Sequence, residues 1–136
     1  MMKLFLKTLL AAVLLSGCFS VAAAETMTGY NVNTVAVPLN DGYGLTVESI
    51  EFRNDLTRVN CKLKGRPNTS HRIDSASLAG KSATDIDGVD FNRYFQFEED
   101  GVIPLSIDFP RMKPQKKLTL SLNGINGRAD FQIIKE

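Results

Sequence analysis

The feature that most constrains this chain is a strict two-residue alternation of apolar and polar side chains, which recurs through most of its length. The clearest stretch is Arg58 to Lys64, RVNCKLK, where Val59, Cys61 and Leu63 point one way and Arg58, Asn60, Lys62 and Lys64 the other. Successive strand side chains leave opposite faces of a sheet, so this period marks a half-buried β-strand. Ile103, Leu105, Ile107 and Phe109 repeat it, as do Leu118, Leu120 and Leu122, and then Ala129, Phe131 and Ile133. Val89, Phe91, Phe95 and Phe97 share a face that Arg93 interrupts. Val32 to Val37 and Arg72 to Leu78 are weaker strands.

Leu45 to Phe52 adds a detail. Leu45 and Val47 keep one phase, and Ile50 and Phe52 keep the other. A phase shift inside one strand predicts a β-bulge near Glu48-Ser49.

Turn residues fall between the strands. Asn40 to Gly44, Asn54-Asp55, Gly65 to Ser70, Asp100-Gly101 and Asn123 to Gly127 supply the glycine and asparagine that tight turns need. Pro104 cannot donate to a ladder, so it belongs at an edge or a strand start. No segment carries a long helical stripe with caps. Seven to eight short strands in one domain predict an all-β fold, an immunoglobulin-like or fibronectin type III-like two-sheet sandwich. The chain has no tryptophan and lacks the antibody-type cysteine pair, which argues against a true immunoglobulin domain and leaves the fibronectin-like variant open.

The first 24 residues read differently. Lys3 and Lys7 make a basic start, Thr8 to Leu15 an apolar run, and Ala22-Ala23-Ala24 a small-residue end. That is the layout of a secretory signal peptide, and the run is shorter than the ~20 residues of a membrane span. Cleavage between Ala24 and Glu25 leaves 25–136 as a single domain. Leu15-Ser16-Gly17-Cys18 also matches the pattern at which bacterial lipoproteins are cut and acylated. The apolar sequence after Cys18 ends in a good cleavage site, whereas a lipoprotein continues with a polar tether. The expectation is therefore a secreted chain, with lipidation of Cys18 as the alternative and membrane contact only in that case.

Losing Lys3 and Lys7 takes the basic residues from 16 to 14, against 15 acidic ones. A near-neutral domain of mixed charge has no electrostatic reason to bind nucleic acid. Arg111, Lys113, Lys116 and Lys117 form a short basic run between strands and are expected to be a solvated loop.

Catalytic chemistry finds little footing. Cys61 lies on the apolar side of its strand and is expected to be a core thiol. The one histidine, His71, follows a polar loop beside Arg72. A Cys–His couple would need Cys61 to leave the core. One histidine and one core cysteine do not make a zinc site. Asp85-x-Asp87-Gly88-x-Asp90 has part of a calcium loop but lacks its downstream glutamate, and a solvated turn is the plainer reading. Glu98-Glu99-Asp100-Gly101 reads as a charged hairpin turn. There is no GxSxG and no phosphate loop. The expectation is no enzyme, no cofactor and no metal. Phe91, Phe95 and Phe97 are expected in the core, with Tyr94 on the opposite face and Tyr30 and Tyr43 near turns.

Two stretches carry a family resemblance: Gly29 to Ile50, GYNVNTVAVPLNDGYGLTVESI, and Ile103 to Leu122, IPLSIDFPRMKPQKKLTLSL. With the signal segment and the domain size, they resemble the interleukin receptor mimic family, small secreted fibronectin type III-like proteins of uropathogenic Escherichia coli. The resemblance implies a virulence factor that binds host cytokine (interleukin) receptors and forms a homodimer by strand exchange. It carries over no contact residue. The alternative expectation is a periplasmic or outer-membrane envelope accessory protein.

Overall fold

The computed structural model describes residues 24–36, 43–125 and 127–136. Residues 1–23, which hold Cys18 and nearly all of the expected signal segment, lie outside them, as do Val37 and Asn40 to Gly42 of the first expected turn. Eleven strands are formed among the described residues, seven of them seven to nine residues long. They pair into two antiparallel sheets packed as a sandwich, in agreement with the immunoglobulin-like and fibronectin type III-like expectation.

The front sheet runs in the order β1 (Glu25–Met27), β3 (Gly44–Phe52), β4 (Thr57–Lys64), β9 (Val102–Phe109), β7 (Asp85–Asp87). The back sheet runs β2 (Tyr30–Ala36), β11 (Gly127–Lys135), β10 (Lys117–Gly124), β5 (Ser70–Leu78), β6 (Lys81–Ser82), with β8 (Tyr94–Gln96) also on β5. The hairpins β3–β4 and β10–β11 each stay within one sheet. The segments 65–69 and 110–116 carry the chain across to the back sheet.

The alternation places the core as predicted. Val59, Cys61 and Leu63 of β4 are buried, as are Leu105, Ile107 and Phe109 of β9. From the back sheet come Leu118, Leu120, Leu122, Ala129, Phe131 and Ile133. The β3–β4 register shifts between Val47 and Ser49, which is the predicted bulge. It lets Leu45 and Val47 share the core side with Ile50 and Phe52. Pro104 is exposed and pairs with Lys62 on one side, while β7 reaches only Ser106 to Asp108 on the other. At Pro104, β9 is therefore an edge, so the missing N–H costs no ladder bond.

The expected strand Val89 to Phe97 does not form. Gly88 has φ +105° and Asn92 φ 65°, conformations that end a strand. Asn92 N donates to Ile73 O at 2.9 Å, which ties the turn to β5. Only Asp85–Asp87 and Tyr94–Gln96 pair, with different sheets. Phe97 is fully buried, whereas Phe91 and Phe95 are half-buried at the margin of the core. The tyrosines divide. Tyr94 is exposed, but Tyr30 and Tyr43 are core residues at 8% and 6% exposure. A turn position says little about burial where the chain passes from one sheet to the other over the open end of the core.

Candidate functional site

The residues with the best chemical prospects lie inside. Cys61 is held on β4 between Val47 and Leu105, and burial pushes its thiol up to about 12, with Glu48 adding to the effect. A thiol that holds its proton this strongly is a poor nucleophile at neutral pH. His71 is the second residue of the back-sheet strand β5 and is 4% exposed. Its ring sits 5.5 Å from Tyr43, 6.0 Å from Phe95 and 5.3 Å from Phe97. Phe131 stacks on the far side of Tyr43 at 6.4 Å. Thr69 Oγ1 donates to Arg66 O at 2.6 Å and lies 3.0 Å from His71 Nε2. The hydroxyl has one proton to give. It therefore accepts from His71, which places a proton on Nε2. Sequence reasoning put this histidine in a polar loop setting. The side-chain alternation of β5 instead turns it into the aromatic box.

A connected set of ordered polar groups lies on the outer face of the front sheet. Three rows run across it, set by strand register. Glu51, Arg58, Asp108 and Asp85 stand opposite one another in the first row. Ser49, Asn60, Ser106 and Asp87 form the second, and Thr46, Lys62 and Pro104 the third. Arg58 grips Asp108 with two bonds, Nε to Oδ1 at 2.7 Å and Nη2 to Oδ2 at 3.0 Å. That hydrogen-bonded contact holds the guanidinium well above its usual range. Asn60 is the centre of the second row. Its Nδ2 donates to Ser49 Oγ at 3.0 Å and Glu51 Oε2 at 2.8 Å, and its Oδ1 accepts from Ser106 Oγ at 2.8 Å. Lys62 reaches Glu48 at 3.0 Å. Two shallow furrows of about 310 and 330 Å³ run along this face and share Asp87 and Ser106.

The bulge at Glu48-Ser49 builds this face. A regular strand continued from Val47 would turn Ser49 to the core; the bulge turns it outward, opposite Asn60. The outward set Arg58, Asn60 and Lys62 was legible in RVNCKLK. Its cross-strand partners on β9 and β7 were not, because strand pairing is not written in either segment alone.

The other expected features take plain positions. Asp85–Asp87 is an edge strand instead of a loop, and Gly88 packs so closely on Pro104 that an added Cβ would lie 2.3 Å from its carbonyl oxygen. Among the described residues, no group of three or more histidine, cysteine or acidic side chains is placed to hold a metal ion. Glu98 to Gly101 is a tight turn, closed by Gly101 N donating to Glu98 O at 3.0 Å. Arg111, Lys113, Lys116 and Lys117 are exposed around the buried Met112.

Comparison of the chain with protein-family models, with curated proteins and with solved structures finds no match.

Proposed function

We propose that this chain is a secreted binding protein, not an enzyme, and that it engages host interleukin receptors as a homodimer formed by strand exchange. The observation that carries the binding half is the division of polar groups. The thiol and imidazole are enclosed in the core, while the side chains free to meet a partner are held in hydrogen-bonded rows on a sheet face. Side chains already fixed in place lose little entropy when a partner docks. The choice of receptor rests on the resemblance carried by Gly29 to Ile50 and Ile103 to Leu122.

Surface plasmon resonance with the folded mature chain against a panel of interleukin-receptor ectodomains tests this reading. Selective binding is the expected result. Flat responses across the panel would remove the receptor from it. Light scattering on the same sample is expected to give twice the chain mass.

A second reading has one observation in its favour. Leu15-Ser16-Gly17-Cys18 would make the protein a lipid-anchored envelope accessory. Mass spectrometry of the mature N-terminus separates the two, since an unmodified Glu25 supports secretion and an acylated Cys18 the anchor.

A further inference from the structure

The edges of this sandwich are guarded unequally. β1, β7 and β8 are three residues long and β6 is two. β7 also carries Asp85 and Asp87, and β6 carries Lys81. Short, charged edges resist pairing with other chains. β2 is different. It has seven residues, none of them Lys, Arg, Asp, Glu or Pro, and it is the end strand of the back sheet.

The ladder tells which backbone groups of β2 have no strand partner among the described residues. Glu136 N donates to Gly29 O at 3.1 Å, and the register runs unbroken from Tyr30 opposite Lys135 to Thr34 opposite Phe131. Bonded and non-bonded pairs alternate along an antiparallel ladder. Gly29, Asn31 and Asn33 therefore turn N–H and C=O toward β11. Tyr30, Val32 and Thr34 turn theirs outward. Val35, set out of the ladder by the register shift, is 66% exposed.

We propose that this edge takes an extended, uncharged segment of a partner protein as an added strand, bonded to the main chain at Tyr30, Val32 and Thr34. The proposal rests on the binding reading above and names how the partner is held. Main-chain bonds supply the affinity in strand addition. A neutral edge offers charged residues nothing to pair with, so an uncharged segment loses least on docking. The straight part, Tyr30 to Thr34, spans about 17 Å. That is too short to join two rigid copies of the chain by itself, since a stable interface buries about 1,200 Å² or more. A pliable segment can follow the edge and cover Val35. Exchange of strands between copies leaves the edge open as long as β2 keeps β11 as its neighbour on one side only.

The test uses the isotope-labelled mature chain and a neutral blocked heptapeptide, Ser-Val-Thr-Val-Thr-Val-Ser, at millimolar concentration. Amide exchange at Tyr30, Val32 and Thr34 is expected to slow about tenfold, with Asn31 and Asn33 unchanged. Thr34→Pro removes an outward donor and no ladder bond, and it should abolish the slowing. Val35→Lys, which charges the edge, should do the same if the proline variant folds poorly. Unchanged exchange at the three amides overturns the proposal. So does a doubled mass that Thr34→Pro halves, which would make the edge a contact between copies. For a receptor that binds, Thr34→Pro should weaken binding about tenfold, and an unchanged affinity overturns the proposal for that partner. Absence of receptor binding overturns the functional reading alone, and the peptide experiment still decides the edge.

Discussion

The aromatic box around His71 and the outer face of the front sheet both gather polar side chains within a β-sheet, and they hold them by opposite means. In the box, one imidazole is surrounded by Tyr43, Phe95 and Phe97, with the Thr69 hydroxyl 3.0 Å from its Nε2. On the face, Asn60 alone makes three hydrogen bonds, and Arg58 and Asp108 two more. The first region is stabilised by excluding water around rings. The second is stabilised by mutual hydrogen bonds that remain in contact with water. The box therefore has high energetic stakes and little to offer a partner. The face has low stakes, and its side chains are presented in order.

That contrast is most exposed to failure in the box. Phe97 is fully buried and contacts both His71 and Phe95. Phe97→Ala should cost about 3–5 kcal/mol in urea unfolding, through lost burial and the cavity left behind. Phe91 is only half-buried, at a turn, and Phe91→Ala should cost about 1 kcal/mol. Equal losses at the two positions would mean that the box is no more a core than the turn beside it.

Alkaline titration reads the same region with the next-largest effect. Burial pushes the Tyr43 phenol up to about 12 from 10.0, and the Cys61 thiol up to about 12 from 9.0. Below pH 9 both groups are protonated in folded and unfolded chains alike, so the stability they contribute is fully present. As pH rises the unfolded chain ionises first. That stability is then lost between about pH 9 and 12. Tyr43→Phe should remove the phenol's share, on the order of 2 kcal/mol, and leave a shallower alkaline limb from Cys61. Identical limbs in the two proteins would show that the phenol is already wet.

The sequence and the structure agree where a strand's own alternation decides the outcome. RVNCKLK announces which side of β4 is core, and the phase change between Val47 and Ile50 announces the bulge. They part where distant segments decide. Val89 to Phe97 has the spacing of a strand, but Asn92 takes positive φ and bonds to Ile73, a partner 19 residues earlier in the chain. Tyr43 and His71 flank polar loops, yet each is enclosed by rings from other strands. The ordered face was half legible for the same reason. Arg58, Asn60 and Lys62 declare themselves outward, but Asp108 and Ser106 become their partners only when β9 docks in register on β4.

On the front face, the expected energies are smaller. Asn60→Ala removes three hydrogen bonds at a site that water can reach, so it should cost about 1 kcal/mol. A loss near that of Phe97→Ala would make the face a structural polar cluster and erase the contrast. If the receptor docks on this face, the same variant should weaken binding about tenfold while thermal unfolding shifts by only a few degrees.

The sharpest test uses a residue that breaks the interior pattern. Thr57 is fully buried at the start of β4, opposite Phe52 and Phe109, and its Oγ1 has no hydrogen-bond partner among the described residues. A buried hydroxyl without a partner carries its desolvation cost uncompensated. Valine has nearly the same shape, keeps the β-branch that suits a strand, and removes the polar atom. Thr57→Val should therefore stabilise the chain by about 0.5–1 kcal/mol in urea unfolding, with an unchanged denaturant slope. A comparable loss would show that water reaches Thr57, and that the front sheet's core is open at the β3–β4 turn. The sign of this one substitution decides whether the interior excludes water as completely as the box requires.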